Sequence, residues 1–278
     1  MIGIVVVSYR SEERTVQFVL HELAKVQAPH AIVVVDNGAT AEEAAMLGNR
    51  LPGVTVLAAE NGGYAKGNNI GARWLRENVH PKHILFTNDD IVIASVSVVE
   101  ALAETAAENP MIGAIGPEVV GTDGLRQSPE PYIGLWDRYV WMYLSTPFIS
   151  LARKRERFGL DYPACAGEGP HYKLSGSFIL VNADAFFEAG MFDEQTFLYA
   201  EECILAERFS RIGRCCWFLP SVHVVHEHGK TVDGHMSKRA QALLQYDSMA
   251  YYYTEYKGYS RFVTLLVRLF YRLILSVK

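Results

Sequence analysis

Residues 83–90 read HILFTNDD, an apolar run from His83 to Thr87 that ends directly in Asn88-Asp89-Asp90. A continuous apolar run of this length is typical of a strand that is buried on both faces. Three earlier runs have the same character, and each is followed by a helical segment: Ile4–Val7, Ala31–Val35 and Val54–Leu57. This alternation predicts an α/β fold with a mostly parallel central sheet and helices on both faces.

The helices between these strands are marked by capping residues. Thr40 and Glu43 have the spacing of a capping box, and Ser11 stands before the acidic pair Glu12-Glu13. The spacing of the apolar residues predicts helices after Ser11, after Thr40, over Asn68–Glu77 and from Ser97 to Asn109.

The pattern changes after Pro117. Glu118–Gln127 resembles a hairpin, and Ser128–Lys173 has poor periodicity, which indicates long loops over an active site or, alternatively, a disordered insert. Regular elements then return as the strand Ser177–Val181, the helices Asp184–Ala189 and Ala200–Ile212, and two extended segments, Cys215–Leu219 and Ser221–Val225. We therefore expect one domain over residues 1–235, with halves 1–117 and 118–235, and a C-terminal helical extension over residues 236–278.

The composition is that of a protein with a buried core. The chain has 278 residues, of which 50% are hydrophobic and 21% charged, and this balance excludes disordered and collagen-like proteins. The net charge of −5 lacks the broad basic excess of a general nucleic-acid binder, so we expect no nucleic-acid partner. The charge is uneven, because Tyr256–Lys278 carries +5 and the residues before it carry −10.

The cysteines and the chain start favour a reducing compartment. The four cysteines contain no C-x-x-C pair, and the apolar run at the N-terminus is too short for a signal peptide and lacks preceding basic residues. The longest uncharged stretch, Tyr139–Ala152, has 14 residues, whereas a membrane-spanning helix needs about 20. We expect a cytoplasmic protein.

Polar residues follow two of the predicted strands where each ends. Asp36 follows the second strand and Asn88-Asp89-Asp90 the fourth, and the carboxyl ends of parallel strands meet at one edge of a sheet. Paired carboxylates there can hold a divalent cation against a diphosphate, although each acid taken singly is as well explained as a turn former. The amide-rich segment Asn61–Asn69, which contains Gly63 and Lys66, can place backbone N–H groups and a lysine beside a phosphate.

Glu201 and Glu202 open a predicted helix, where the helix dipole favours ionised carboxylates that can accept a proton. Their position alone favours first-turn acids that stabilise the helix. Helical geometry does not choose between Glu201 and Glu202 as a base, because they lie only about 100° apart. His226 and His228 would share one face of an extended segment, as metal ligands or by coincidence.

Taken in order, these segments resemble the family 2 glycosyltransferases, and among them the rhamnosyltransferase-like enzymes of bacterial surface polysaccharide assembly. The resemblance covers about residues 2–231 and rests on many weak motifs. They are Val6-Val7-Ser8-Tyr9, Val34–Gly38, Asn61–Asn69, Asn88-Asp89-Asp90, Leu174–Ser177, Phe192–Glu194, Tyr199–Glu202 and Val225–Gly229. The resemblance implies a GT-A fold with a Rossmann-like sheet, a nucleoside-diphosphate sugar donor, a saccharide or glycolipid acceptor, a divalent metal (Mg²⁺ or Mn²⁺) and an inverting transfer.

The resemblance also implies roles for single residues. Asp90 and His226 match metal-site positions, and Glu202, beside Glu201, takes the place of the catalytic aspartate. The matching donor-site positions are Ser8, Tyr9, Asp36, Gly63, Lys66, Asn88, Asp89, Gly176 and Ser177. The chain departs from the family pattern at Arg10, Glu202 and Ile204.

The basic tail predicts an amphipathic helix over Lys257–Lys278, with the basic residues in one stripe beside apolar ones. Such a helix suits the inner face of an anionic membrane, or it packs on its own domain or on a second subunit in a homodimer. Two other functions stay open. A sugar nucleotidyltransferase would share the architecture but should carry a Gly-rich loop after the first strand, and an inactive sugar-binding scaffold subunit would tolerate the changes at Asn88 and Glu202.

Overall fold

The computed structural model describes residues 1–145, 149–150, 153, 166–227 and 237–277. Within them, one nine-stranded sheet has the order β3-β2-β1-β4-β8-β6-β9-β5, and β7 pairs with β9. The strands are β1 (Ile2–Ser8), β2 (His30–Asn37), β3 (Thr55–Ala59), β4 (His83–Thr87), β5 (Ile91–Ile93), β6 (Ile112–Gly121), β7 (Gly169–His171), β8 (Phe178–Asn182) and β9 (Cys215–His226).

The first half of the sheet is parallel, as the sequence predicts. β1 pairs in parallel with β2 and β4, and β2 with β3. β8 then enters antiparallel between β4 and β6, while β9 runs parallel to β6. As a result β1 to β4, β6 and β9 all point the same way, and their carboxyl ends share one edge with the amino end of β8. The α/β expectation is confirmed.

The helices lie between the strands and at the C-terminus. They are α1 (Glu12–Gln17), α2 (Ala41–Asn49), α3 (Gly63–Asn78), α4 (Val98–Glu108), α5 (Met142–Leu144), α6 (Ala183–Glu188), α7 (Glu201–Arg211), α8 (Lys238–Lys257) and α9 (Arg261–Val277). A π-helical turn at Phe18–Glu22 and a 3₁₀ turn at Leu23–Lys25 extend α1, and another π-helical turn, Asp137–Trp141, precedes α5. The capping box at Thr40 and Glu43 is present.

One hydrophobic core lies on each face of the sheet. Alternate residues of β1 divide between the cores, with Ile4 and Val6 in one and Val5 in the other, and none of the three is exposed. Helices α1, α2 and α4 cover the first core, and α3, α6 and α7 cover the second. Burial on both faces explains why the strands read as unbroken apolar runs.

A third core joins the C-terminal helices to the rest of the protein. Its buried members include Tyr246 and Tyr253 of α8, Tyr271 of α9, Tyr139 of the second π-helical turn and Ile204 of α7. The predicted C-terminal helix is present as α9, and α8 precedes it in the same extension because Gly258 adopts a left-handed conformation (φ 74°) and ends α8. Within the described residues no helix has the length and apolarity to cross a membrane.

Several boundaries differ from the expectations. α3 begins at Gly63 rather than Asn68, so the amide-rich segment forms its first turn. The two extended segments after Cys215 are the single strand β9, and the second arm of the expected hairpin is only a bridge between Val120 and Arg126. Three features of the sequence analysis lie outside the described residues: His228, part of 128–173 and the boundary at 235/236. The two expected halves share one sheet, so the domain division stays a prediction.

Candidate active site

The acids that the sequence places at strand ends do lie at one edge of the sheet. Asp36 pairs in register with Ser8 across β2 and β1, and Asn88 follows β4. The Asn88 N–H donates to Ser177 O (2.9 Å) at the start of β8. His226 ends β9 at the same edge and pairs with Ile91, the residue after Asp90. A separate surface hollow, lined by Arg76, His80, Pro81, Lys82 and others, lies at the opposite edge and includes none of the predicted site residues.

Asp36 is almost completely buried. Its side chain is 2% exposed, and Oδ2 has no hydrogen-bond partner among the described residues. Burial, with smaller contributions from the charges of Glu12 and Glu43, raises the pKa of Asp36 to about 6. A buried acceptor oxygen without a donor is costly, so this position suits an N–H or O–H group of a bound ligand. The Tyr9 ring closes over the adjacent turn, where Cε2 is 3.3 Å from the place a Cβ on Gly38 would take.

The start of α3 is locked to the segment that precedes α7. Tyr64 N–H donates to Phe197 O (2.9 Å), and Gly63 has a φ of +88° with its Cα so close to Phe197 that a Cβ would overlap the carbonyl. Asn37 Nδ2 donates to Gly63 O (3.2 Å), which ties this turn to the end of β2. Lys66 lies on the same helical turn, with its aliphatic chain packed on Gly62. These contacts join the amide-rich segment both to the end of β2 and to the segment that precedes α7.

Asp89 is engaged within the protein. Its carboxylate accepts hydrogen bonds from Ser11 Oγ (2.7 Å), Thr15 Oγ1 (2.8 Å) and Arg14 Nε (2.9 Å), and it is 7% exposed. These contacts fix the end of β4 against the turn between β1 and α1. The contacts indicate that Asp89 orients its neighbours Asn88 and Asp90, and direct donor binding by Asp89 stays a prediction.

Asp90 and His226 form a buried pair. His226 Nε2 lies 3.1 Å from Asp90 Oδ1, and His226 Nδ1 lies 2.9 Å from Gln127 Oε1. An amide oxygen only accepts, so Nδ1 carries the proton, and Nε2 is the ring nitrogen that faces the carboxylate. Burial alone would raise the pKa of Asp90, but the hydrogen bond and charge of His226 outweigh it and lower the pKa.

This donor set fits a divalent cation. If Nε2 of His226 carries no proton, its lone pair and the Asp90 Oδ1 atom can bind one cation together. If Nε2 carries a proton, it forms a hydrogen bond with Oδ1 instead. The described residues hold no group of three or more histidine, cysteine or acidic side chains suited to a metal. A cation bound by Asp90 and His226 would therefore take its remaining ligands from water or from a bound phosphate.

Glu201 and Glu202 have different surroundings. Two residues with positive φ, Tyr199 (71°) and Ala200 (70°), lead into α7 and set the orientation of its first turn. Glu201 is 2% exposed and its Oε1 lacks a hydrogen-bond partner among the described residues. Burial and the neighbouring charge of Glu202 raise the pKa of Glu201 to about 8. Glu202 instead is partly exposed, and its Oε1 accepts a hydrogen bond from Gly176 N–H (3.2 Å).

Gly176 makes this contact because it has no side chain. A Cβ at this position would overlap Glu202 Oε1. Ser177, the next residue, accepts the Asn88 N–H through its carbonyl oxygen, so one turn touches both Glu202 and the segment that carries Asp90. The structure thus brings Gly176, Ser177, Asn88 and Glu202 together, and their roles in binding and catalysis stay predictions.

Two residues near the glutamates were not among the predicted site residues. Tyr64 OH donates to Gly176 O (2.7 Å), and burial together with the charges of Glu202, Glu201 and Asp90 raises its pKa well above the usual value. Lys173 is 8% exposed and pairs with Glu130 Oε1 (2.6 Å), and its charge acts on Glu201. Tyr64 lies inside the amide-rich segment, and Lys173 directly precedes Leu174–Ser177. Their position in or beside these motifs was the only feature of the sequence analysis that could have marked them as site residues.

Comparison with known proteins agrees with the family resemblance of the sequence motifs. The protein-family model "Glycosyltransferase like family 2" matches residues 2–242. The chain is 27% identical over 246 residues to an N-acetylglucosaminyl-diphospho-decaprenol L-rhamnosyltransferase of Mycobacterium tuberculosis, a match that covers 81% of this chain and 76% of the relative.

Solved structures show the same fold at low sequence identity. S. aureus TarS 1-349 in complex with UDP-GlcNAc has a TM-score of 0.55 and 15% identity, with 97% of this chain and 71% of that chain covered. The mannosyltransferase PcManGT from Pyrobaculum calidifontis, in complex with GDP-Man and Mn²⁺, has a TM-score of 0.57 and 13% identity, with 94% and 65% covered.

Proposed function

The chain belongs to glycosyltransferase-like family 2, and from this premise we propose that it transfers a sugar, with inversion, from a nucleoside-diphosphate sugar to a saccharide acceptor. The acceptor is lipid-linked and the product belongs to a cell-surface polysaccharide. The M. tuberculosis relative, whose name describes a diphospho-decaprenol acceptor, supports this acceptor class.

The observation that carries the proposal is the placement of Glu202. Gly176 N–H holds its Oε1, and the same turn contacts Tyr64 and the segment that leads to Asp90. Glu201, with a pKa of about 8, is largely protonated at neutral pH, whereas a base must be ionised. These facts favour Glu202 as the proton acceptor and leave Glu201 as a buried neutral acid.

In the proposed reaction Glu202 takes the proton of an acceptor hydroxyl while that oxygen attacks the anomeric carbon. A new glycosidic C–O bond forms, and the bond from the anomeric carbon to the diphosphate oxygen breaks, so that the nucleoside diphosphate leaves with the bonding electrons. A single displacement inverts the anomeric centre and needs no second carboxylate nucleophile. Asp36 accepts a hydrogen bond from the nucleoside, and Lys66 adds positive charge near the phosphates.

Asp90 and His226 would hold a Mg²⁺ or Mn²⁺ ion, with His226 oriented by Gln127. When bound, such an ion neutralises charge that develops on the leaving diphosphate. Asn88, next to the Ser177 carbonyl, helps to fix this segment of the donor site.

The test is release of nucleoside diphosphate from a panel of nucleotide sugars by the purified protein with Mn²⁺. We expect slow donor hydrolysis that Glu202→Gln lowers at least ~100-fold, because general-base catalysis contributes about 10²–10⁴. The matched control is Glu42→Gln, an exposed acid on α2, which should keep full turnover. Full turnover in Glu202→Gln would refute the assignment. Pyrophosphate formed from a nucleoside triphosphate and a sugar phosphate would identify a nucleotidyltransferase instead, and donor binding without turnover would identify an inactive scaffold.

A further inference from the structure

Helix α9 turns a row of large apolar side chains toward solvent. The five residues recur at helical spacing and cover an arc of about 100° on one face. They are Phe262 (68% exposed), Leu265 (51%), Leu266 (49%), Leu269 (50%) and Leu273 (68%). We call this row the α9 outer face.

The opposite face of α9 is packed, so the orientation of the helix is fixed. Val267 and Tyr271 are 2% and 5% exposed, and the Tyr271 ring contacts the rings of Tyr139 (5.1 Å between centroids) and Tyr246 (5.7 Å). Tyr246 OH also donates to Thr264 O (2.5 Å). The outer face is therefore exposed by a well-packed helix, and its apolar side chains find no cover within the described residues.

Arginines border the outer face along one edge. Arg268 pairs with Asp247 (2.6 Å) and Arg261 with Glu255 (3.2 Å), whereas Arg272 is exposed and makes no ion pair among the described residues. α9 contains no acid, and residues 237–277 carry a net charge of +4 in a chain of −5. Guanidinium groups beside a leucine row can keep their charge at the level of lipid phosphates while the leucines enter the acyl region.

Exposed aromatic and aliphatic side chains continue onto the neighbouring segment. Trp141 is 53% exposed and Leu144 is 45% exposed, and both belong to the turns that pack on α9 through Tyr139 and Tyr143. Tryptophan is enriched where proteins meet the boundary between lipid headgroups and acyl chains. An exposed tryptophan beside an apolar, arginine-edged helix points to the same kind of surface.

We propose that the α9 outer face docks on an anionic lipid bilayer, with α9 lying in the plane of the headgroups. A second copy of the chain fits this face less well, because an antiparallel two-fold contact would place the arginine edges of both copies on the same side of the pair, where α9 offers no acid to Arg272. The inference rests on the proposed function at one point: a lipid-linked acceptor would lie in the bilayer on which the α9 outer face docks.

The experiment uses the full chain and sedimentation with vesicles of phosphatidylcholine plus phosphatidylglycerol, compared with phosphatidylcholine alone. We expect binding to the anionic vesicles that weakens as salt rises and that falls at least ~10-fold in Leu269→Glu. Arg272→Glu should weaken binding to the anionic vesicles and leave the weak binding to neutral ones unchanged. Met46→Glu, which changes an exposed apolar residue (69%) on α2, is the matched control and should bind normally.

Absence of binding by the wild-type chain, or binding unaffected by Leu269→Glu, would overturn the proposal. A wild-type dimer in light scattering that Leu269→Glu dissociates, without vesicle binding, would assign the face to a second copy. Turnover with a water-soluble acceptor separates the two proposals, because Leu269→Glu should leave it unchanged. Vesicle binding without any turnover would refute the proposed reaction and leave the docking surface standing.

Discussion

Asp36 illustrates how a candidate binding residue can lower the stability of the folded protein. Its pKa of about 6 means that the folded chain binds a proton there at higher pH than the unfolded chain, whose aspartate titrates near 3.8. Linkage then requires the free energy of unfolding to fall as the pH rises through this range, because burial disfavours the charged form. This cost fits the proposal that the Asp36 carboxylate accepts a hydrogen bond from the nucleotide.

We therefore predict that Asp36→Asn raises the melting temperature at neutral and alkaline pH. The gain should shrink as the pH falls below 6 and vanish below about 4, where the wild-type side chain is protonated in both states. Nucleotide binding should weaken about tenfold or more, since a hydrogen bond to a charged acceptor contributes about 1.5–3 kcal/mol. Thermal melts across pH and nucleotide titrations measure the two effects. A variant less stable than wild type at alkaline pH would contradict the prediction.

Gly176 provides a test of how Glu202 is positioned. Gly176→Ala puts a methyl group where Glu202 Oε1 now lies, so the carboxylate must rotate away from the Gly176 N–H. We expect kcat to fall ~100-fold, while the Kd for nucleotide changes little because Asp36 and Lys66 are untouched. Gly167→Ala is the control, since a Cβ there meets nothing within 4 Å. Equal losses in kcat for the two variants would argue against a positioning contact.

Single residues could be predicted from sequence only where strand direction places them. Asp36 and Asp90 follow strands, and parallel strands end at one edge, so their shared location followed from the pattern. The engagement of Asp89 by Ser11, Arg14 and Thr15 did not, because it depends on how the turn after β1 folds back on β4. Helical geometry also left Glu201 and Glu202 equivalent, and only the family resemblance favoured Glu202.

At the scale of elements, α8 holds the segment that leads into Glu201 and Glu202. Tyr256 OH (2.6 Å) and Tyr251 OH (3.0 Å) both donate to Asp193 Oδ2, and Ser248 Oγ donates to Leu198 O (2.6 Å). This segment continues into the left-handed residues before Glu201, and its other side is bound by Tyr64 N–H. Helix α8 is thus a structural support for the candidate active site.

This arrangement predicts that Tyr256→Phe lowers both stability and turnover. The lost hydrogen bond to a carboxylate should reduce the free energy of unfolding by about 1.5–3 kcal/mol, and a looser segment should lower kcat several-fold. Tyr246→Phe is the matched control, because its hydroxyl donates to Thr264 O on α9 rather than to the segment before Glu201. It should lose stability and keep its kcat, as measured by urea unfolding and single-turnover rates. Normal turnover in Tyr256→Phe would show that the segment is held by other contacts.

Elements could be predicted where burial or capping leaves a local pattern. Apolar runs predicted the strands β1, β2 and β4, and the capping box predicted helix α2. The start of α3 was missed by five residues because Gly63 and Tyr64 are held by Phe197, a residue far along the chain. Likewise β8 takes its place between β4 and β6 through pairing that no local pattern encodes.

At the scale of the whole molecule, the candidate cation site joins distant parts of the chain. Asp90 lies between β4 and β5, His226 ends β9, and Gln127 follows β6, so a ligand bound at Asp90 and His226 links three regions of the sheet. A ligand that binds only the folded state stabilises it by mass action, and at 100 times its Kd the gain is about 2.7 kcal/mol.

We predict that Mn²⁺ added with a nucleoside diphosphate raises the melting temperature by about 2–4 °C beyond the nucleotide alone. Asp90→Asn should abolish this extra shift, because the amide cannot supply the negative charge that a hard cation requires. Gln127→Leu leaves both proposed ligands but removes the acceptor for His226 Nδ1, so it should weaken Mn²⁺ about 10–100-fold. Asp184→Asn, an exposed acid at the opposite edge of the sheet, should behave as wild type. If Mn²⁺ gives the same shift in wild type and Asp90→Asn, the cation binds elsewhere, and Asp90 and His226 are only an ion pair that joins β5 to β9.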